Sequence, residues 1–193
     1  VLGFERHEEP IKKAMFPGLT SSHHIHHMAA KAIAFAEAME FGKDYADQTI
    51  KNAKALASEL SNVGFKVLGE KNGYTESHQT VVNVLDYGDG GKIEADLGKA
   101  NMVVNRQLIP GDLKAKRNYM QPGGIRLGTS EITRLGMKES EMKEVASMIK
   151  DVVIDGKAQG DMTGKVAEFR KGFQKTQYCF DNNLGAYEYV KLR

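Results

Sequence analysis

Apolar positions recur along the chain with two spacings, and the switch between them marks the elements. Met28, Ala32, Phe35 and Met39 fall three or four residues apart, the period of one helical face. Alanines at 29, 30, 32, 34, 36 and 38 favour helix around them. Gly42 predicts a bend, after which Ile50, Ala53, Leu56 and Leu60 carry a second helical run that ends before Gly64. Val63 to Leu68 predicts a strand, and Thr80 to Leu85 a stronger one, because Val81, Val82, Val84 and Leu85 leave few polar breaks. Ile93 to Ala100 predicts a short helix and Met102-Val103-Val104 another strand. Gln107 to Gly124 has no period and two prolines, which predicts a loop leading into a short strand at Ile125 to Leu127. Met142, Val145, Ile149 and Val152 form a further helical stripe. A last helix is expected from Val166 to Phe173, before an aromatic end of Tyr178, Phe180, Tyr187 and Tyr189. Near the start, Glu8-Glu9-Pro10 suits the first turn of a helix that Phe16-Pro17-Gly18 stops. This order predicts a small α/β or α+β domain with helices on one face of a short sheet.

Composition narrows the function classes. The 193 residues include 27 Lys plus Arg, 25 Asp plus Glu and 41% apolar residues, for a net charge of +2. That balance gives no electrostatic case for nucleic acid or an anionic membrane. A single cysteine, Cys179, forms no internal disulfide. No apolar run reaches the roughly 18 residues of a membrane span.

Two features carry candidate chemistry. Ser22-His23-His24-Ile25-His26-His27 puts four imidazoles in five positions. His23 with His27, or with His26, would share a helical face and could bind a transition metal. No carboxylate follows until Glu37, and the alternative is a polar helix start whose histidines hydrogen-bond, cap or face an anionic ligand. Arg126 lies in Gly123-Gly124-Ile125-Arg126-Leu127-Gly128-Thr129. Glycines permit close approach, and a guanidinium holds a carboxylate through two parallel hydrogen bonds. A surface arginine on an edge strand is the competing reading. Gly88-Asp89-Gly90-Gly91 lacks the Lys-Ser/Thr ending of a phosphate loop and is expected to be a turn. His78, at a strand start, and Cys179 are expected to be structural.

Four blocks together resemble the C-terminal part of serine hydroxymethyltransferase. Phe16-Pro17-Gly18 with His26 and Ala29-Ala30-Lys31-Ala32 is similar to the family's Phe-Pro-Gly block and Ala-rich helix. Thr75-Glu76-Ser77-His78 stands where the family has Thr-Asp-Asn-His. Val104-Asn105-Arg106-Gln107, followed by Pro110 and Asp112, is similar to its Asn-Lys-Asn loop. Gly124 to Thr129, followed by Thr133 and Gly136, resembles its most diagnostic run. The match extends to about Asp155, and the His-rich block looks most like the archaeal branch.

The resemblance implies the α/β fold of fold-type-I pyridoxal-phosphate transferases. It divides the chain into the end of the large domain and the start of a long connecting helix (1–40), a small domain with a short, mainly antiparallel sheet (41–155), and an extension (156–193). It implies a cytoplasmic homodimer with active sites at the interface, interconverting serine and glycine with pyridoxal 5′-phosphate as cofactor. The one-carbon carrier is a reduced pterin, either tetrahydrofolate or a tetrahydromethanopterin-like modified folate. Arg126 would grip the amino-acid carboxylate. Ser21 and Ser22, standing where the family has glycines, would meet the phosphate of the neighbouring subunit's cofactor. Phe16 and Gln107 match positions near the pterin, with asparagine usual where Gln107 stands. No metal is implied. The family's cofactor lysine belongs to a Thr-His-Lys run upstream of Phe-Pro-Gly, so Val1 is expected to be an internal residue. No catalytic residue is assigned within the chain, which alone is expected to be inactive. The rival readings are another fold-type-I enzyme, an aldolase or transaminase, and a non-catalytic metal-binding module built on His23–His27.

Overall fold

The computed structural model describes residues 3–183, 185 and 186. The tail aromatics Tyr187 and Tyr189 lie outside the described residues. Two compact units separate at Ala38/Met39. In the first, α1 (Glu8–Lys13) begins with Glu8, Glu9 and Pro10 in its opening turns. A wide turn over Ala14–Leu19 follows, broken at Phe16, whose backbone is extended (φ −143°, ψ 125°).

Helix α2 (Ile25–Asn62) runs unbroken for 38 residues. Gly42 does not interrupt it: one internal glycine costs a helix only about 1 kcal/mol. The two halves of α2 differ in burial. Ala53, Leu56, Ala57 and Leu60 are at most 2% exposed, whereas Met28, Phe35 and Met39 of the first stripe are 58%, 68% and 90% exposed.

The second unit is built on a four-stranded antiparallel sheet in the order β1-β2-β4-β3. The strands are β1 (Lys66–Val67), β2 (Gln79–Asn83), β3 (Asn105–Gln107) and β4 (Gly124–Gly128). Side chains alternate across the pleat. Thr80, Val82, Ile125 and Leu127 turn inward and are buried. They meet the second half of α2, together with α3 (Gly90–Lys99), α5 (Glu139–Val153) and α6 (Gln159–Arg170), through Leu56, Ile93, Leu97, Met142, Ile149 and Met162. The expected arrangement of helices against a short antiparallel sheet is thus present.

Several local expectations shift. The strand foreseen at Met102–Val104 is a connection: the Met102 amide closes a turn on the Leu97 carbonyl at 2.9 Å, and Val104 drops into the core. The polar triplet Asn105–Gln107 takes the strand position, because pairing requires register with β4 rather than hydrophobicity. The strand expected over Val63–Leu68 shrinks to two residues, with Phe65 in the core. The turn expected at Gly88–Gly91 is only half formed: Gly88 and Asp89 lead into α3, and Gly90 and Gly91 are its first residues. The helix N-terminus is occupied by the Asp89 carboxylate, which accepts hydrogen bonds from the Gly91 and Lys92 amides. A short helix α4 (Ser130–Arg134), which the apolar periodicity did not announce, follows β4. Cys179 is buried, as expected of a structural residue. No helix among the described residues is long and apolar enough to cross a membrane.

Near the end of α5, Asp151 is buried between two lysines, with Lys157 Nζ at 2.7 Å and Lys165 Nζ at 3.4 Å. The hydrogen bond from Lys157 is the main cause that holds its carboxyl below the usual aspartate range. A depressed folded-state pKa stabilises above the unfolded value, about 3.9, and that contribution fades as pH falls through the folded value. Melting temperature should therefore drop on acidification below about pH 4, and the drop should be shallower in Asp151→Asn. Parallel pH profiles for the two proteins would contradict the assignment.

Candidate functional site

The sheet has a second face. Register places Val81, Arg126 and Asn105 side by side across β2, β4 and β3, with Gln79 opposite Gly128 and Gly124 between Asn83 and Gln107. These positions point away from the helices that cover Ile125 and Leu127. Arg126 therefore stands at the middle of a polar sheet face, partly buried, on a central strand. The edge-strand reading fails, because β4 is paired on both sides. Among the described residues its guanidinium forms no hydrogen bond or ion pair, unlike Arg106, whose side chain turns to the helix face and pairs with Glu94 of α3.

Bare backbone around Arg126 is structurally enforced at one glycine and optional at the other. A Cβ on Gly124 would lie 2.4 Å from Ile109 Cγ2 and 2.8 Å from the Val82 carbonyl oxygen. A Cβ on Gly128 would find nothing nearer than His78 Cδ2 at 3.8 Å. Gly128 leaves open space on the side of Arg126 toward His78, which is exposed.

Behind β4 a buried polar chain fixes the strand end. Thr129 Oγ1 donates to the Thr49 carbonyl at 2.9 Å, and Thr80 Oγ1 donates to the Ala53 carbonyl at 3.1 Å. Asn52, fully buried, donates to Thr133 Oγ1 at 2.8 Å and to the Met137 carbonyl at 2.9 Å. These bonds tie β2, β4 and α4 to α2. Sequence reasoning did not single out Asn52, Thr49 or Thr80. Asn52 is a polar residue inside the buried period of α2, where satisfied hydrogen bonds are required, whereas Thr49 lends only its carbonyl and its own hydroxyl donates to the Tyr45 carbonyl at 2.7 Å.

The structure brings Gln107 onto the same face as Arg126, at the end of β3. Its side-chain amide donates to the Leu108 carbonyl at 3.0 Å. The connection from Gln107 to Gly124 is the expected loop, held by a buried carboxylate, Asp112. Phe16, Ser21 and Ser22 belong to the other unit and are exposed. The Ser21 and Ser22 hydroxyls bond to no other described residue. The histidine pairing expected around His23 does not form, because α2 starts only at Ile25 and leaves His23 outside it. Instead His24, His26 and His27 gather with ligand atoms within 4.8 Å of one another, all exposed. Among the described residues no carboxylate or cysteine completes that group.

Comparison with known proteins gives a consistent result. The family model for serine hydroxymethyltransferase matches residues 3–149. The chain is 72% identical over its full length to the serine hydroxymethyltransferase of Nitrosopumilus maritimus (strain SCM1), and 66% to that of Cenarchaeum symbiosum (strain A). In each case it spans 44% of the relative's length. Among solved structures, L-threonine transaldolase from Pseudomonas fluorescens superposes with a TM-score of 0.74 at 33% identity, covering 88% of this chain and 38% of the other.

The two glycines beside Arg126 should respond differently to a methyl group. Gly124→Ala forces backbone apart and should cost about 1–3 kcal/mol, whereas Gly128→Ala should change stability by less than about 0.5 kcal/mol. Urea unfolding midpoints measure both, and equal shifts would contradict the packing described.

Proposed function

This chain belongs to the serine hydroxymethyltransferase family, and we propose that it supplies the substrate-carboxylate side of a pyridoxal-phosphate enzyme that interconverts serine and glycine. The hydroxymethyl carbon passes to a reduced pterin, either tetrahydrofolate or a tetrahydromethanopterin-like carrier. The observation that carries this reading is Arg126: a guanidinium on the uncovered face of a central strand, between two glycines, with no partner among the described residues. Leaving a planar cation unpaired in a half-buried position has a cost that an incoming carboxylate removes.

The residues fit the groups they would hold. Arg126 offers two parallel N–H donors to the carboxylate of serine or glycine, a geometry lysine cannot supply. Held at that end, the amino acid can turn only about its remaining bonds, so the strand decides which bond at the α-carbon is presented for cleavage. Pyridoxal 5′-phosphate, when bound, takes up the electrons of that bond. The unengaged hydroxyls of Ser21 and Ser22 suit a phosphate, and we assign them to the cofactor of a neighbouring subunit in a homodimer. Backbone amides at those positions would remain as donors, although serine allows less close approach than glycine. Gln107 is assigned to the pterin side by its place on the Arg126 face, and Phe16 by its match to the family. Residues 1–40 are taken as the end of the cofactor-binding domain, 41–155 as the small domain, 156–193 as its extension, and the cytoplasm as the place of action. The exposed His24, His26 and His27 are given no metal in this reading.

In the full-length holoenzyme, Arg126→Ala should weaken glycine binding by about 2–5 kcal/mol, the loss typical of removing one partner from a desolvated charge pair. Cofactor retention, followed by its absorbance, should be unchanged. A glycine titration that matches the wild type would remove Arg126 from the substrate site and with it this reading.

A further inference from the structure

The loop between β3 and β4 is organised around one carboxylate. Asp112 is 2% exposed. Its Oδ2 accepts the Ile109 amide at 2.9 Å and the Gly123 amide at 2.8 Å, so one oxygen joins the two ends of the loop. Its backbone amide returns a bond to the Ile109 carbonyl at 3.1 Å, and the Arg117 amide bonds the Asp112 carbonyl at 2.9 Å. Oδ1 faces Arg117 Nε at 3.6 Å, and that nitrogen is buried without a hydrogen-bond acceptor. The result is a charge-assisted knot.

The knot determines what lies beside Gln107. Ile109, held at its amide by Asp112, lays its side chain against the bare Cα of Gly124, where a Cβ would come within 2.4 Å of it. Gly124 is in turn the ladder partner of Gln107. Strand β3 has only three ladder pairs with β4. By contrast, Arg126 sits within five consecutive pairs between β4 and β2, from Gln79 opposite Gly128 to Asn83 opposite Gly124. Loosening the loop therefore disturbs the Gln107 end of the face well before it disturbs Arg126.

We propose that Asp112 is a positioning residue that sets the pterin side of the site, through Ile109, Gly123 and the Gln107–Gly124 pair, without setting the carboxylate side. The inference rests on the function proposed above, and it separates two halves of one sheet face by what anchors each. Asp112 touches neither substrate nor cofactor; its effect is transmitted through backbone amides.

Steady-state kinetics of the full-length holoenzyme test it, with tetrahydrofolate and tetrahydromethanopterin each supplied as acceptor, beside a pterin-free glycine titration. Asp112→Ala leaves two buried amides without an acceptor and should raise the pterin KM about tenfold or more. Asp112→Asn keeps an acceptor oxygen but loses the charge facing Arg117, and should raise it about threefold. Glycine affinity should stay within about twofold of wild type in both variants, a split that a general loss of structure does not produce. If Asp112→Ala fails to fold, Asp112→Asn carries the test alone. An unchanged pterin KM in the folded variants, or glycine affinity falling in step with it, overturns the assignment. Arg126→Ala measured alongside keeps the two readings apart: normal glycine binding in that variant removes the underlying function. Weakened glycine binding there, with unchanged pterin KM in the Asp112 variants, removes only the role of Asp112.

Discussion

A sheet of four short strands can bury only one face when its covering helices all lie on the same side, and the rest of this structure follows from that constraint. Ile125 and Leu127 commit β4 to the core. The pleat then obliges the residue between them to point the other way. That residue is Arg126. Its place on the open face is the geometric complement of the packing on its two neighbours, and its backbone is fixed by the same ladder hydrogen bonds. Thr80, Thr129, Thr133 and Asn52 serve the same end from behind, since each satisfies buried polar atoms while tying β2, β4 and α4 to α2. A binding residue placed on a paired central strand is held more sharply than one on a loop.

The fold was legible in the sequence where apolar period and packing agree. The second half of α2, the middle of β2, β4 and the stripe of α5 were all read from spacing, and so was their gathering on one face of a short sheet; the antiparallel pairing came only from the family resemblance. Where pairing decides instead of hydrophobicity, spacing misled. Met102-Val103-Val104 looks like a strand but closes a turn, and the polar Asn105-Arg106-Gln107 forms the ladder because register with β4 demands it. Gly42 looks like a helix boundary, yet the helix continues through it, because one glycine costs only about 1 kcal/mol. The His-rich run looked like an i, i+4 pair on one helix face, but the helix starts two residues after His23, so a different set of imidazoles comes together. The candidate site divides along the same line. Arg126 was visible from its glycines and its chemistry. Asn52 and Thr80 were not, because a polar residue inside an apolar stripe shows its role only once its partner, 81 residues away for Asn52 with Thr133 and 27 for Thr80 with the Ala53 carbonyl, is placed.

The chain spans 44% of the length of the serine hydroxymethyltransferases of Nitrosopumilus maritimus and Cenarchaeum symbiosum, and the burial of its own apolar residues is uneven. Where α2 meets the sheet its surface is closed and polar atoms are satisfied. Along its first half an apolar stripe is formed yet covered by nothing among the described residues. The two halves of one continuous helix thus show the same sequence logic, apolar residues at helical spacing, with burial achieved in one and absent in the other.

On the proposed function, Arg126 reads a carboxylate. The most direct measurement compares the dissociation constants of glycine and glycinamide for the full-length holoenzyme and its Arg126→Ala variant, since the two ligands differ only in the group the guanidinium should meet. The wild type should strongly prefer glycine, and the variant should lose most of that preference. A preference for glycine that survives intact in Arg126→Ala would contradict that role.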